Sequence, residues 1–286
     1  MNGNVNGLYG GITDQSLSGI DNGTGYGVAN GLYVDVQNKS IVRNGLVLYL
    51  DSTNRQSYNG SSTLWDDLST SRNNGTLVNG PTFTTLNGGG VIFDGTNDYV
   101  QINTTGINVG NTFTYQCWIY FYDIGGKQSA SGPWQRETLI SNAYPYLTNS
   151  GFVIMATSQG PPPSFVKTPG NECFFISLGS DQKVASSTLG SLSINKWLNL
   201  AVRVNSTELI RLYINGYEIN NYQNQTDANI SLTYNNICAI GGRVATAVPL
   251  EDVLNGILPM AMLYNRPLSD SEILQNYLAT KSKFNL

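Results

Sequence analysis

Apolar residues recur at every second position in a series of short runs separated by Gly, Asn, Pro and Ser. Residues 45–50 set Leu46, Leu48 and Leu50 on one face. Residues 112–122 give the clearest run, with Phe113, Tyr115, Cys117, Ile119 and Phe121 on one side. Trp118, Tyr120 and Tyr122 lie on the other side, so partial cover is expected on both faces. A period of two is the mark of a strand with a buried face. Short strands are predicted at 90–93 and 99–102 around an Asp94-Gly95 turn, and at 151–156 and 173–178. The run Gly160-Pro161-Pro162-Pro163 between the last two is excluded from any central strand. Leu198, Leu200, Val202 and Val204 share a face in a hairpin whose partner spans 209–214. The Asn215-Gly216 step that follows predicts a type I′ turn into Tyr217-Glu218-Ile219. Further strands are predicted near 237–240 and 257–264.

One helix is predicted, close to the C-terminus. Ser269 and Glu272 have capping-box spacing, and Leu268 with Ile273 forms a hydrophobic staple. Ile273, Leu274, Tyr277 and Leu278 then follow at helical spacing, and the pattern ends near Thr280. The expected fold class is therefore all-β: antiparallel strands packed as a sandwich over residues 45–286 with a short C-terminal helix.

Residues 1–44 break the pattern. They are rich in Gly and Asn, and an Asn-Gly-Leu motif recurs at Asn6, Asn30 and Asn44, with Tyr9, Tyr33 and Tyr49 close behind. The segment has too little apolar surface to offset its chain entropy by itself. It reads as an extended arm that assembles with other chains, with Leu8, Tyr9, Leu32, Tyr33 and Val34 as its contact residues. Chance recurrence in a biased composition is the alternative.

Composition then removes whole classes of chemistry. The chain of 286 residues has no histidine, which excludes Ser-His-Asp and Cys-His catalysis and His-ligated zinc. A formal net charge of −4 without clustered Lys and Arg argues against nucleic acid as a partner. Cys117, Cys173 and Cys238 are widely spaced in apolar stretches and read as buried free thiols of a protein made in a reducing cytoplasm. The opening residues lack a basic n-region and an apolar h-region, so neither a signal peptide nor membrane insertion is expected. Asn-x-Ser/Thr matches such as those at Asn205 and Asn229 are read as chance in so Asn-rich a chain.

Five motifs occur in a familiar order. They are Gly45-Leu46-Val47-Leu48-Tyr49-Leu50-Asp51, the stretch from Val91 to Val100 around Asp94-Gly95, and Phe113-Thr114-Tyr115-Gln116-Cys117-Trp118-Ile119. Next come the Trp197–Val202 run with Leu212-Tyr213-Ile214-Asn215-Gly216, and the closing segment from Tyr264 to Ile273. From about Gly45 to its end the chain resembles the laminin-G-like, concanavalin A-like domains of bacterial and phage surface proteins. Together with the glycine-rich arm, it looks most like structural proteins of tailed phages.

That resemblance implies an antiparallel jelly-roll β-sandwich and a non-enzymatic virion structural protein, a capsid decoration or tail-surface component, displaying this lectin-like sandwich and held by its arm. Its implied partners are other virion proteins, further copies of itself and host-surface glycans, and its implied place is the virion surface after synthesis in the host cytoplasm. A carbohydrate-binding adhesin or receptor-binding module is the alternative, and a glycoside hydrolase a second one.

Hydrolysis needs two carboxyl groups about 5 Å apart for retention or roughly 6.5–9.5 Å for inversion. Glycosidases on this fold commonly carry them at alternate positions of one strand, and no Glu here belongs to such a pattern. Asp66-Asp67 and Glu251-Asp252 are adjacent pairs, which point apart when extended. No catalytic residue is expected. The resemblance also makes calcium a candidate at Asp94, Asn97 and Asp98, with a hydrogen-bonded turn as the simpler reading and Asp51 as a distant partner or a strand-end cap. No other cofactor is expected. For sugars, an exposed aromatic platform is needed. Trp134, Tyr144 and Tyr146 lie in predicted loops and are the candidates, with a packed loop anchor as the simpler reading of Trp134, while Trp65, Trp118 and Trp197 are expected to pack in or against the sandwich.

Overall fold

The computed structural model describes residues 26–29, 32–35, 40–103, 107, 109–125, 136–142, 151–158, 170–178, 183–206, 208–219, 221–224, 237–245 and 248–286. The chain divides into two units, Met1–Asn38 and Lys39–Leu286. In the first unit β1 (Tyr26–Ala29) and β2 (Leu32–Asp35) pair antiparallel, with Tyr26 opposite Asp35 and Ala29 opposite Leu32. In sequence they are joined by Asn30-Gly31, a strong signal for a two-residue hairpin turn. Leu32, Tyr33 and Val34 thus sit on a strand whose described partner is in the arm itself. Leu8 and Tyr9 lie outside the described residues.

The second unit contains β3 (Leu46–Asp51), β4 (Leu64–Trp65), β5 (Gly75–Val78), β6 (Thr82–Thr84), β7 (Gly90–Asp94), β8 (Tyr99–Asn103) and β9 (Phe113–Phe121). It continues with β10 (Arg136–Ser141), β11 (Phe152–Thr157), β12 (Cys173–Leu178), β13 (Lys183–Ser187), β14 (Trp197–Val204), β15 (Arg211–Ile214) and β16 (Tyr217–Ile219). Then come β17 (Asn221–Asn224), β18 (Ile237–Ile240), β19 (Arg243–Ala245), β20 (Val248–Glu251), β21 (Asn255–Tyr264) and α1 (Asp270–Thr280). A 3-10 turn, Lys281–Phe284, closes the chain. Two large antiparallel sheets form a sandwich. One runs β16-β15-β14-β9-β21-β7-β6, with β3 also on β21, and the other runs β17-β13-β12-β11-β10-β18-β8-β5-β4.

The predicted core faces of β9 and β14 are the observed ones. Phe113, Tyr115, Cys117, Ile119 and Phe121 join Leu198, Leu200, Val202 and Val204 in the cluster between the sheets. Phe113 meets Phe152 of the opposite sheet with ring centroids 4.5 Å apart. All three cysteines are free and buried, and burial pushes the Cys117 thiol up to about 12. The outer face of β9 is covered by α1 and the closing turn, where Trp118, Tyr213, Tyr264, Ile273 and Phe284 form a second cluster. The capping box at Ser269 is present, and Leu268 and Ile273 are both buried there. Asn215 and Gly216 take φ of 53° and 83°, as a type I′ turn requires. A Cβ on Gly216 would meet Leu274 at 3.0 Å, so the turn also seats the helix.

Three features differ from the sequence reading. Leu46, Leu48 and Leu50 do not share a face, because the pairing of β3 with β21 slips between Leu263 and Tyr264. The resulting bulge at Val47 sends Leu46 to the helix-side cluster with Tyr49, while Leu48 and Leu50 stay between the sheets. Secondly, β7 and β8 belong to opposite sheets, so the Asp94-Gly95 turn is a crossover between layers. Finally, residues 40–44 precede the expected first strand yet are tied to the body. Ile41 and Val42 are buried, Val42 N donates to Asn276 Oδ1 at 2.8 Å, and Tyr264 Oη donates to the Val42 carbonyl at 3.0 Å.

Candidate functional site

Two regions of the body concentrate chemistry. The first is the rim where β7, β9, β10 and β21 end. β7 leaves its sheet at Asp94 through Gly95, whose φ is +67° and whose Cβ, if present, would lie 2.9 Å from Asn255 Cβ. Only glycine suits that crossing. Asp94 Oδ1 accepts from Thr96 N at 2.7 Å, and Asp98 Oδ2 accepts from Asp94 N at 3.1 Å. Burial raises the Asp98 pKa against the opposing bond from Asp94, whose charge raises it further. Oxygens of Asp94 and Asp98 are therefore turned onto the loop's own backbone. Among the described residues no three His, Cys, Asp or Glu side chains group as a cation site. Asn97 N also approaches Asp94 Oδ1, at 3.4 Å, so the loop closes as a hydrogen-bonded turn. Asp51 lies apart from this loop, where it accepts from Tyr49 Oη at 2.9 Å and from Lys283 Nζ at 2.6 Å.

The rim also holds charged groups that the sequence did not bring together. Arg243 and Asp252 form an ion pair at 3.2 Å with side chains 2% and 1% exposed. Glu137 Oε2 accepts from Asn255 N at 3.2 Å, and Thr138 N donates to the Asp252 carbonyl at 2.8 Å. These contacts fasten the start of β10 to the start of β21. Nothing in the spacing of Glu137, Arg243 and Asp252 along the chain announces the cluster; it follows from which strands become neighbours.

The second region is an aromatic ledge on the outer face of the sheet, at the end of β9 that α1 leaves uncovered. Register places Trp197 of β14 directly opposite Tyr120 of β9. Their rings meet edge to face with centroids 5.2 Å apart, and Tyr122 meets Tyr120 in the same way at 5.7 Å. Trp197 also touches Phe284 of the closing turn at 4.7 Å, and Phe284 touches the buried Trp118 at 4.4 Å. The band continues to Tyr277 of α1, stacked on Trp118 at 5.6 Å. Tyr122 is 41% exposed and Tyr120 and Trp197 are part-exposed, whereas Trp118 is fully covered. The alternation in β9 put Tyr120 and Tyr122 on the outer side; only the register with β14 reveals Trp197 as their neighbour.

The other expected positions divide cleanly. Trp65 and Trp118 are buried, and Trp197 packs against the sandwich while keeping an exposed part. Trp134, Tyr144 and Tyr146 lie outside the described residues. No helix among the described residues is long and apolar enough to cross a membrane.

Face-packed antiparallel sheets with a closing helix define a concanavalin A-like β-sandwich. Residues 94–274 match Laminin_G_3, the concanavalin A-like lectin/glucanases superfamily, and the chain belongs to that family. A similar solved structure is domain 4 of an extracellular arabinanase from Geobacillus stearothermophilus, in complex with arabinotriose. It is 16% identical with a TM-score of 0.55, over 82% of this chain and all of that one. Another is the binding domain of botulinum neurotoxin DC in complex with rat synaptotagmin II, 12% identical with a TM-score of 0.57, over 82% of this chain and 51% of that one. The same binding domain in complex with SialylT is 13% identical with a TM-score of 0.56, over 83% of this chain and 52% of that one. The present chain thus spans about half the length of the neurotoxin domains it matches. These likenesses are of fold. A comparison with curated protein sequences gives no match.

Proposed function

We propose that the body is a non-catalytic recognition module that binds carbohydrate at the Tyr120–Tyr122–Trp197 ledge. The part-exposed aromatic cluster on a rigid sheet carries this reading. Sugars stack their C–H faces on such rings, and ring positions fixed by strand register cost little entropy on binding. Domain 4 of the arabinanase, matched over its whole length, is in complex with arabinotriose, which supports carbohydrate as the ligand class. The carboxylates support a role without catalysis. Asp67 accepts four hydrogen bonds, Asp51 and Asp252 face cations, and Glu137 and Asp98 are held by backbone donors. Groups so engaged are poor proton shuttles. A glycan array with the full chain is the test. Binding lost in Tyr122→Ala with unchanged melting supports the reading; full binding in that variant sinks it.

The module is proposed to be displayed on a virion, in the manner of tailed-phage surface proteins, with the N-terminal unit as its anchor. A two-stranded hairpin such as β1–β2 is marginal on its own, and its strand edges suit pairing with a neighbouring chain. A mass-spectrometric inventory of purified particles tests this: stoichiometric recovery of the chain supports display, and its absence from every particle fraction excludes it.

A further inference from the structure

We propose that the ledge selects an acidic saccharide, one bearing a carboxylate, with Lys196 and Lys281 as its cationic flank. This rests on the glycan reading above. Five cations of the body pair with carboxylates among the described residues. Arg203 faces Asp270, Arg211 faces Glu218, Arg243 faces Asp252, Arg266 faces Glu272 and Lys283 faces Asp51. Lys196 and Lys281 face no carboxylate among the described residues.

Both lie beside the aromatic band. Lys196 is exposed and immediately precedes Trp197. Lys281 opens the closing turn whose Phe284 packs on Trp197, and its Nζ stands 5.9 Å from the Tyr277 ring centroid. Asp123, the part-buried acidic residue next to Tyr122, accepts from Ile124 N at 2.9 Å. The ledge therefore offers part-exposed aromatic rings for a sugar, with two ammonium groups that face no described carboxylate for one or two negative charges. A polyanion fits less well, because a chain of net charge −4 repels it as a whole.

The experiment uses the full chain and four probes in titration calorimetry: a sialylated oligosaccharide, a uronate-containing oligosaccharide, and the neutral counterpart of each. An acidic probe is expected to bind about fivefold more tightly than its neutral counterpart, the size of one partly exposed ion pair. Which acidic probe binds identifies the source of the carboxylate. Lys196→Gln with Lys281→Gln is expected to erase that preference, leave neutral binding and leave melting unchanged. Equal affinity for acidic and neutral probes, or a preference that survives both substitutions, overturns the acidic selectivity and leaves the ledge as a neutral-sugar site. No binding by any probe, or binding indifferent to Tyr122→Ala, overturns the glycan reading and this inference with it.

Discussion

The carboxamide of Asn276, on the buried side of α1, donates to Gln116 Oε1 in the central strand β9 at 2.9 Å. The same side chain donates to Tyr264 Oη and accepts from Val42 N, and Gln116 Nε2 continues to Asn199 Oδ1 at 2.7 Å. Helix, central strands and the residues before β3 are thus joined through one buried hydrogen-bonded network. Replacing Asn276 with Ala strands several of these groups, each unmatched buried group costing about 1–3 kcal/mol. A loss on the order of 3 kcal/mol is expected in urea unfolding of Asn276→Ala. A neutral result would mean that water enters and satisfies the network.

The helix start supplies a second measurement. Ser269 Oγ accepts from Glu272 N, and Glu272 Oε2 accepts from Ser269 N at 2.9 Å. Ser269→Ala should cost about 0.5–2 kcal/mol through the lost cap. Bonds from Arg266, opposed by burial, lower the Glu272 pKa, with Ser269 adding to the effect. The folded chain therefore releases this proton more readily than the unfolded one. Its contribution is complete above the unfolded value of about 4.3 and disappears as pH falls through the folded value. Glu272→Gln should melt lower than the parent at neutral pH, and the gap should close in acid.

Asp98 titrates with the opposite sign. Burial raises its pKa, so the folded state holds the proton more tightly than the unfolded chain. The penalty for its charge is full above the folded pKa and fades as pH falls below it. An amide at this position keeps an oxygen to accept from Asp94 N. Asp98→Asn should therefore raise the melting temperature at neutral pH, with little difference in acid. A lower melting temperature at neutral pH would show that the charge itself holds the crossover loop.

What was legible in the sequence was whatever depends on local period. The inner faces of β9 and β14, the Asn215-Gly216 turn and the Ser269 cap are written in nearest neighbours, and each is present. Features set by pairing were not legible. Leu46 changes face because of a slip against Tyr264, a residue more than two hundred positions away. Trp197 becomes part of a ledge only because β14 lies on β9 in one register. Asn276 reads as a polar break in the helix stripe, yet it is fully buried because the network receives it. Short polar strands such as β13 and β17 carry no alternation that marks them.

The boundary between arm and body gives the last prediction. Periodicity puts the start of the sandwich at residue 45, whereas contacts divide the chain after Asn38. Removing residues 1–38 leaves Ile41, Val42 and the hydrogen bonds from Val42 to Asn276 and Tyr264 in place. The body should then melt as the full chain does in calorimetry. Removing residues 1–44 takes away two buried aliphatic side chains and leaves Asn276 Oδ1 and Tyr264 Oη without those partners. Each lost apolar side chain is worth about 1.5–3 kcal/mol when fully buried, before any cost from the unmatched polar groups. The longer deletion should therefore lower the melting temperature substantially. If both deletions melt alike, residues 40–44 are merely draped on the body and the start of the domain belongs at 45. If the shorter deletion already destabilises, the first unit takes part in the body's stability.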